Sequence, residues 1–479
     1  MGTEVKNKRF YPLFASGFVT ALAAIACCTS LNGDCSPPPA RESPPSNDTN
    51  GQTTAPGQPP SGPPLDYATS TELIYPQELV YLGAFRLPDG SGGSSWEYSG
   101  HGLTHYPAGD PAGSEDGFSG SLFGIGHDHQ LYVSEINIPI PVNSRNLDEL
   151  NVATTLQPFQ DITGSIFSAE DMALPRAGLE YLPPQSSQIT GKLNFVWGQH
   201  FQYFEPSHGW SELELSNPQP SGPWLFDGYT NYVTSDYLFE IPESWADTYF
   251  YGHRLATGRF REGVWGGRGP ALFAFSPWND GNPPSPNSTL SSITPLLLYG
   301  IQEPDNPDII SDISTQMNGY QEADHWSGGA WLTVGDKSAV IFAGTKAMGS
   351  SWYGYANGLI WPYDCAEQNP PTCPDLPDWP FEDRGYWAED YQAQVIFFDP
   401  NDLAAVAQGQ METHEPQPYA TLDLTPYLYA PQLDYAEYKR DLVGAVAFDR
   451  EHGLLYVVER LADEYKSVIH VFQITASEP

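Results

Sequence analysis

Gly444-Ala445-Val446-Ala447-Phe448-Asp449, Tyr456-Val457-Val458-Glu459-Arg460 and Val468 to Ile474 follow one another near the end of the chain. Each run is short, apolar and bounded by polar or turn-forming residues, which is how strands read. The same order occurs four more times upstream. First runs are Gly102 to Pro107, Gly178 to Pro183, Tyr237 to Pro242 and Gly329 to Val334. Second runs, ending in polar residues, are Leu122 to His127, Phe195 to His200, Leu255 to Arg259 and Ile341 to Lys346. Third runs meet a proline at Glu135 to Pro139, Leu213 to Pro218, Leu272 to Pro277 and Val395 to Pro400. An outer run is visible at Leu296 to Tyr299 and Tyr419 to Leu424. The last copy reaches Pro479 without one, while Leu79 to Phe85 stands alone ahead of the first copy. Aromatic residues at 13%, with 45 Gly and 46 Pro, fit many strands and tight turns better than helices.

Five copies of a four-stranded unit in one chain look like a β-propeller. The resemblance is one of architecture only. It implies an all-β fold over residues 71–479, a single propeller of five four-stranded blades. Leu79 to Phe85 then supplies the missing outer strand of the last blade, which closes the ring and removes an open edge. Uneven spacing leaves six blades as an alternative, and a pair of β-sandwiches is the structural rival. The sequence has no P-loop, dinucleotide fingerprint or nucleophile elbow.

Lys6, Lys8 and Arg9 precede the uncharged run Phe10 to Ala26, which ends Ala24-Ile25-Ala26-Cys27. This resembles the lipobox of bacterial lipoproteins, although Ala24 stands where Leu is commoner. The resemblance implies removal of residues 1–26 as a signal peptide and lipidation of Cys27. Cys28, rather than Asp, follows the lipidated position, which implies an extracytoplasmic, outer-membrane location. Residues 27–70 are rich in Pro, Ser and Gly and bury too little to order, so they read as a flexible tether. The membrane is then met through the lipid alone. The formal charge of −39, or −41 once three basic and one acidic residue leave with the signal, opposes nucleic-acid binding. Cys365 and Cys373 bracket a Pro-rich segment and read as a disulfide of an oxidising compartment.

In propellers the innermost strand starts on the upper face and the second strand returns to it. Residues at those ends should therefore ring a central funnel. Arg176, Arg259, Arg261, Lys346, Arg440 and Arg460 all fall there, as do His325 and Trp326. They form the expected set for an anionic ligand, with Trp352 and Tyr355 from a long aromatic segment, Gly349 to Asp390. The bland alternative is that these cations neutralise neighbouring Asp and Glu. A second aromatic segment, Phe201 to Trp210, faces the same choice as the first: stacking on sugar rings, or packing into a lid. His127, His200 and Tyr98 are the expected proton-transfer residues. A divalent metal held by His127, His129 and His101 is the one cofactor the sequence suggests, on the argument that positions i and i+2 of a strand share a face. Glu180 and Asp441 are the nearest carboxylates for a hydrolytic variant. The expectation is a monomeric surface lipoprotein that binds, and by β-elimination cleaves, an acidic polysaccharide carrying uronate or sulfate. The alternative is a non-catalytic module for a glycan or protein partner.

Overall fold

The computed structural model describes residues 72–475, except 114–116, 168–175, 186–187, 199–204, 260–265, 301–312, 363–364 and 433–438. Cys27, the tether, His200 and Arg261 lie outside the described residues, as does the side chain of Arg176.

The chain forms a β-propeller of five blades. Blade 1 contains Leu103–Tyr106, Ser121–Ile125, Val133–Asn137 and Thr155–Gln160, from the axis outward. Blade 2 contains Arg176–Leu182, Lys192–Gly198, His208–Ser211 and Ser221–Phe226, with Thr289–Leu290 added in parallel at its edge. Blade 3 contains Tyr237–Glu240, Leu255–Gly258, Leu272–Phe275 and Ile293–Leu297. Blade 4 contains His325–Val334, Lys337–Tyr355, Arg384–Phe398 and Ala420–Asp423. Blade 5 contains Val443–Asp449, Leu454–Asp463 and Lys466–Ile474, and its outermost strand is Leu79–Arg86. That N-terminal strand runs antiparallel to Lys466–Ile474, pairing Leu79 with Ile474 and Arg86 with Val468. A strand from near the start of the described chain and its last strand thus share a sheet, and the ring closes as the sequence implied. The two-residue strand Glu72–Leu73 pairs in parallel with Lys337 and Ser338 of blade 4.

One element differs from expectation. The third strand of blade 2 is His208–Ser211, not Leu213 to Pro218, which is a turn with Glu212 N–H donating to Pro218 O at 2.7 Å. The outer strand of this blade carries Pro223, which hides its strand character in the sequence. An outer strand tolerates Pro because its N–H need not join a ladder.

Alternating side chains of each blade bury against the next. Phe123 and Ala177 meet between blades 1 and 2, and Trp210 and Leu238 between blades 2 and 3. Phe239 and Phe342 join blades 3 and 4, and Ile341 and Val457 join blades 4 and 5. Phe85 and Ile136 seal blade 5 to blade 1. At the axis the innermost strands touch their neighbours all the way round. A Cβ at Gly444 would lie 2.2 Å from Gly100 O, and one at Gly328 only 2.6 Å from Gly444 O. At Gly444 and Gly328 the glycine is required because backbone meets backbone, whereas a Cβ at Gly102 or Gly329 would strike the Ile125 or Phe239 side chain.

Gly444→Ala is therefore expected to cost about 1–3 kcal/mol through overpacking. A denaturant titration should show a lowered midpoint with an unchanged slope; an unshifted midpoint would contradict the close approach.

Candidate functional site

The starts of the inner strands and the ends of the second strands share one face, here called the upper face. His325 begins the inner strand of blade 4, and its Nδ1 lies 2.9 Å from Asp441 Oδ1, just ahead of the inner strand of blade 5. Arg460 places Nη1 3.7 Å from the same oxygen and donates from Nε to Ser99 O at 3.1 Å. The group links blades 4 and 5 to the segment leading into blade 1. Burial alone would raise the Asp441 pKa. The His325 hydrogen bond and the charges of Arg460, His325 and Arg440 outweigh it and hold Asp441 well below the usual carboxylate range. The other imidazole nitrogen, His325 Nε2, is buried and has no hydrogen-bond partner among the described residues.

The other described cations of the expected set are engaged. Lys346 Nζ is 2.7 Å from Asp324 Oδ1, whose pKa burial pushes up to about 6 against the pull of Lys346. Arg440 pairs with Asp383 at 2.8 Å and lies over the Trp387 ring at 4.4 Å. Arg259 is fully buried, its guanidinium 4.5 Å from the Tyr232 ring centre. For Lys346, Arg440 and Arg460 the neutralising alternative describes the geometry, so an incoming anion competes with Asp324, Asp383 and Asp441. Trp326 is fully buried in the core between blades 3 and 4, which corrects its assignment as a ligand contact.

Gly349 to Asp390 is not an irregular loop. Strands Lys337–Tyr355 and Arg384–Phe398 run on past the blade as a paired arm, matching Trp352 with Trp387 and Tyr353 with Tyr386. Aromatic cross-strand pairs stabilise such a ribbon. Trp352 Nε1 donates to Tyr355 O at 3.0 Å, Tyr355 is buried, and Arg384 covers the Trp361 ring at 4.8 Å. The Cys365–Cys373 disulfide lies in the segment joining the two strands. Most of these rings pack on one another, but Ile360 (63%), Leu376 (56%) and Trp379 (68%) are exposed. At the base of the arm is a cavity of about 370 Å³ lined by Glu389, Asp390, Tyr391, Gln432, Lys439 and Leu442. In the second aromatic segment, Phe201 to Phe204 lie outside the described residues. His208 and Trp210 are buried strand residues, and burial pushes the His208 pKa down to about 3.

In blade 1 the strand stops at Ile125, and His127 to His129 form a turn rather than a strand end. His127 O accepts from the N–H groups of Gln130 and Leu131, each at 2.9 Å. Asp128 Oδ1 is 3.1 Å from His127 Nδ1 and 4.0 Å from His129 Nε2. Tyr98, in the left-handed region with φ 56°, sets its ring 5.4 Å from that of His127. His101 lies apart from this group, lining the narrow gap at the axis with Gly102 and Gly328.

The far ends of the inner strands are tied together. Thr104 donates to Glu180 Oε2 at 2.9 Å, and Glu240 N–H donates to Glu180 Oε1 at 3.1 Å. Glu240 faces Arg254 at 2.8 Å and Arg450 at 3.4 Å. Arg450 donates to Trp331 O at 3.1 Å and to Thr333 Oγ1 at 2.7 Å. All five blades contribute, and the knot narrows the lower end of the axis. Glu180 belongs to this knot, near the far end of its strand, whereas Asp441 precedes the start of its own. They do not form a facing catalytic pair.

No protein-family model matches the chain, and a search of curated proteins returns no match. The His325–Asp441 pairing and the Glu180 knot join different blades, and no spacing in the sequence signals either.

Burial, then repulsion from Glu240, pushes the Glu180 pKa from 4.5 to about 8. An acid whose folded pKa lies above its unfolded value favours folding while protonated. Its contribution is complete below about pH 4.5 and disappears as the pH rises through about 8. Glu180→Gln should therefore remove a stability decline of up to about 1.4 kcal/mol per pH unit in that window. Parallel pH profiles for the two proteins would refute the assignment.

Proposed function

We propose that the protein is an extracytoplasmic lipoprotein, anchored through Cys27, whose propeller engages an acidic polysaccharide on its upper face. The observation that carries this reading is the aromatic arm of blade 4, which exposes Trp379 and whose base borders the cavity holding Lys439. A flat exposed ring offers apolar area to a sugar face, and a cavity of this size suits one or two sugar units. Lys439 supplies a cation for a carboxylate or sulfate. The formal charge of −39 repels a polyanion at long range, so recognition is short-range and should tighten when salt is raised to about 0.15 M.

Calorimetry of the full chain with polygalacturonate and dextran sulfate tests this. Trp379→Ala and Lys439→Ala should each weaken binding about tenfold, the range of a single well-placed contact. Absence of saturable binding to either polymer rejects the proposal.

A catalytic reading rests on a separate observation, the unpartnered Nε2 of His325. Buried polar atoms without a partner are rare enough to need an account. In β-elimination Nε2 takes the proton from the carbon beside a uronate carboxylate. The C–H electron pair becomes the new C=C bond, the C–O bond to the next sugar breaks, and the departing oxygen takes the proton back from the imidazolium. Ionised Asp441 holds the ring and stabilises its charged form. His325 replaces His127 in this role because His127 Nδ1 already accepts the His129 N–H at 3.2 Å. Substrate reaches Nε2 only when its surroundings part. Ultraviolet absorbance of the unsaturated product should appear with a uronate polymer and vanish in His325→Gln. Retained binding without any product leaves the non-catalytic module.

A further inference from the structure

The cations of the upper face raise a problem that the turn in blade 1 answers. Lys346, Arg440 and Arg460 are each paired with an aspartate, so they bring little unspent positive charge to a carboxylate ligand. His127, Asp128 and His129 offer ligand atoms that all lie within 4.8 Å of one another. We infer that this turn is a divalent-cation site, its ligands being His127, His129 and, in place of the expected His101, Asp128.

Two details beyond proximity support it. Asp128 Oδ1 is buried, has no hydrogen-bond partner among the described residues, and sits between the two imidazoles. His127 Nδ1 carries a single lone pair or a single proton. While it accepts the His129 N–H, it faces Asp128 Oδ1 at 3.1 Å as acceptor to acceptor. A cation between the two engages that lone pair and the Asp128 oxygen together, and releases the His129 N–H. Zinc bonds of roughly 2.0–2.2 Å place ligand atoms roughly 3.3–3.6 Å apart. Only His129, whose side chain is 85% exposed, has far to move. Two imidazoles and one carboxylate suit a borderline ion such as Zn²⁺ and leave a coordination position open.

That open position gives the site its use. With Asp128 neutralising one unit, a bound dication still carries net positive charge at its open position, and a uronate carboxylate oxygen completes its shell. This second statement rests on the glycan reading; the metal site itself does not.

Zn²⁺ is titrated into the full-length chain in detergent, followed by calorimetry, alongside an Asp128→Asn/His129→Ala double variant. One site per chain is expected, with affinity reduced at least about tenfold in the variant. The variant should melt with the native chain because the turn lies at the surface. Equal affinity in the two proteins, or no saturable uptake by the native chain, overturns the site. Polygalacturonate titrations with and without Zn²⁺ test the use: tightening in the native chain alone supports it, and equal tightening in both, or none in either, overturns it. Zn²⁺ uptake without uronate binding under any condition would sink the glycan reading and leave the metal site standing. Uronate binding without Zn²⁺ uptake would do the reverse.

Discussion

Five innermost strands converge on one axis, and the space available there sets the terms for everything outside it. A Cβ would meet backbone at Gly328 and Gly444, and the Arg460 side chain at Gly100, so side chains must be absent at those positions. Bulk then increases outward, where Phe239, Trp326 and Phe342 fill the wedge between two blades. The sheets pack face to face because each alternates its apolar residues to both sides. With the axis nearly filled, polar chemistry is pushed to the two ends, and the two ends differ. The lower end is tied by the Glu180, Glu240 and Arg450 knot across all five blades. The upper end carries the His325 and Asp441 pair, the arm and the histidine turn.

The repeat was legible because four of the five blades have a glycine-led strand at the axis, and all five have a second strand behind it. Both leave local marks that survive low similarity between copies. The closing strand Leu79–Arg86 was legible by subtraction, since the last copy lacked an outer strand. Blade 2 was read less well. Its third strand, His208–Ser211, is short and polar-looking, and Pro223 disguises the fourth.

The site was legible by address but not by state. Asp441, Lys346 and Arg460 do fall where the strand order put them. Whether a cation is free or paired depends on which blade faces it, and pairs such as Arg460 with Asp441 or Arg440 with Asp383 are set by tertiary approach. Trp326 shows the same limit. It lies one residue after His325, yet alternation turns it into the core while His325 reaches Asp441. The aromatic segment of blade 4 looked irregular because its prolines and cysteines cluster in the connection. The paired strands on either side are plain only once Trp352 and Trp387 are opposite each other.

The pairing of Leu79–Arg86 with Lys466–Ile474 also bears on mechanics. Chain lying ahead of Glu72 pulls first on the short pairing of Glu72 and Leu73 with Lys337 and Ser338, then on the closing strand. That strand is held along its length by a hydrogen-bonded ladder. Detaching the closing strand therefore means breaking a ladder that runs from Leu79–Ile474 to Arg86–Val468, not one or two bonds. A ring latched this way opens only by parting its two ends from each other.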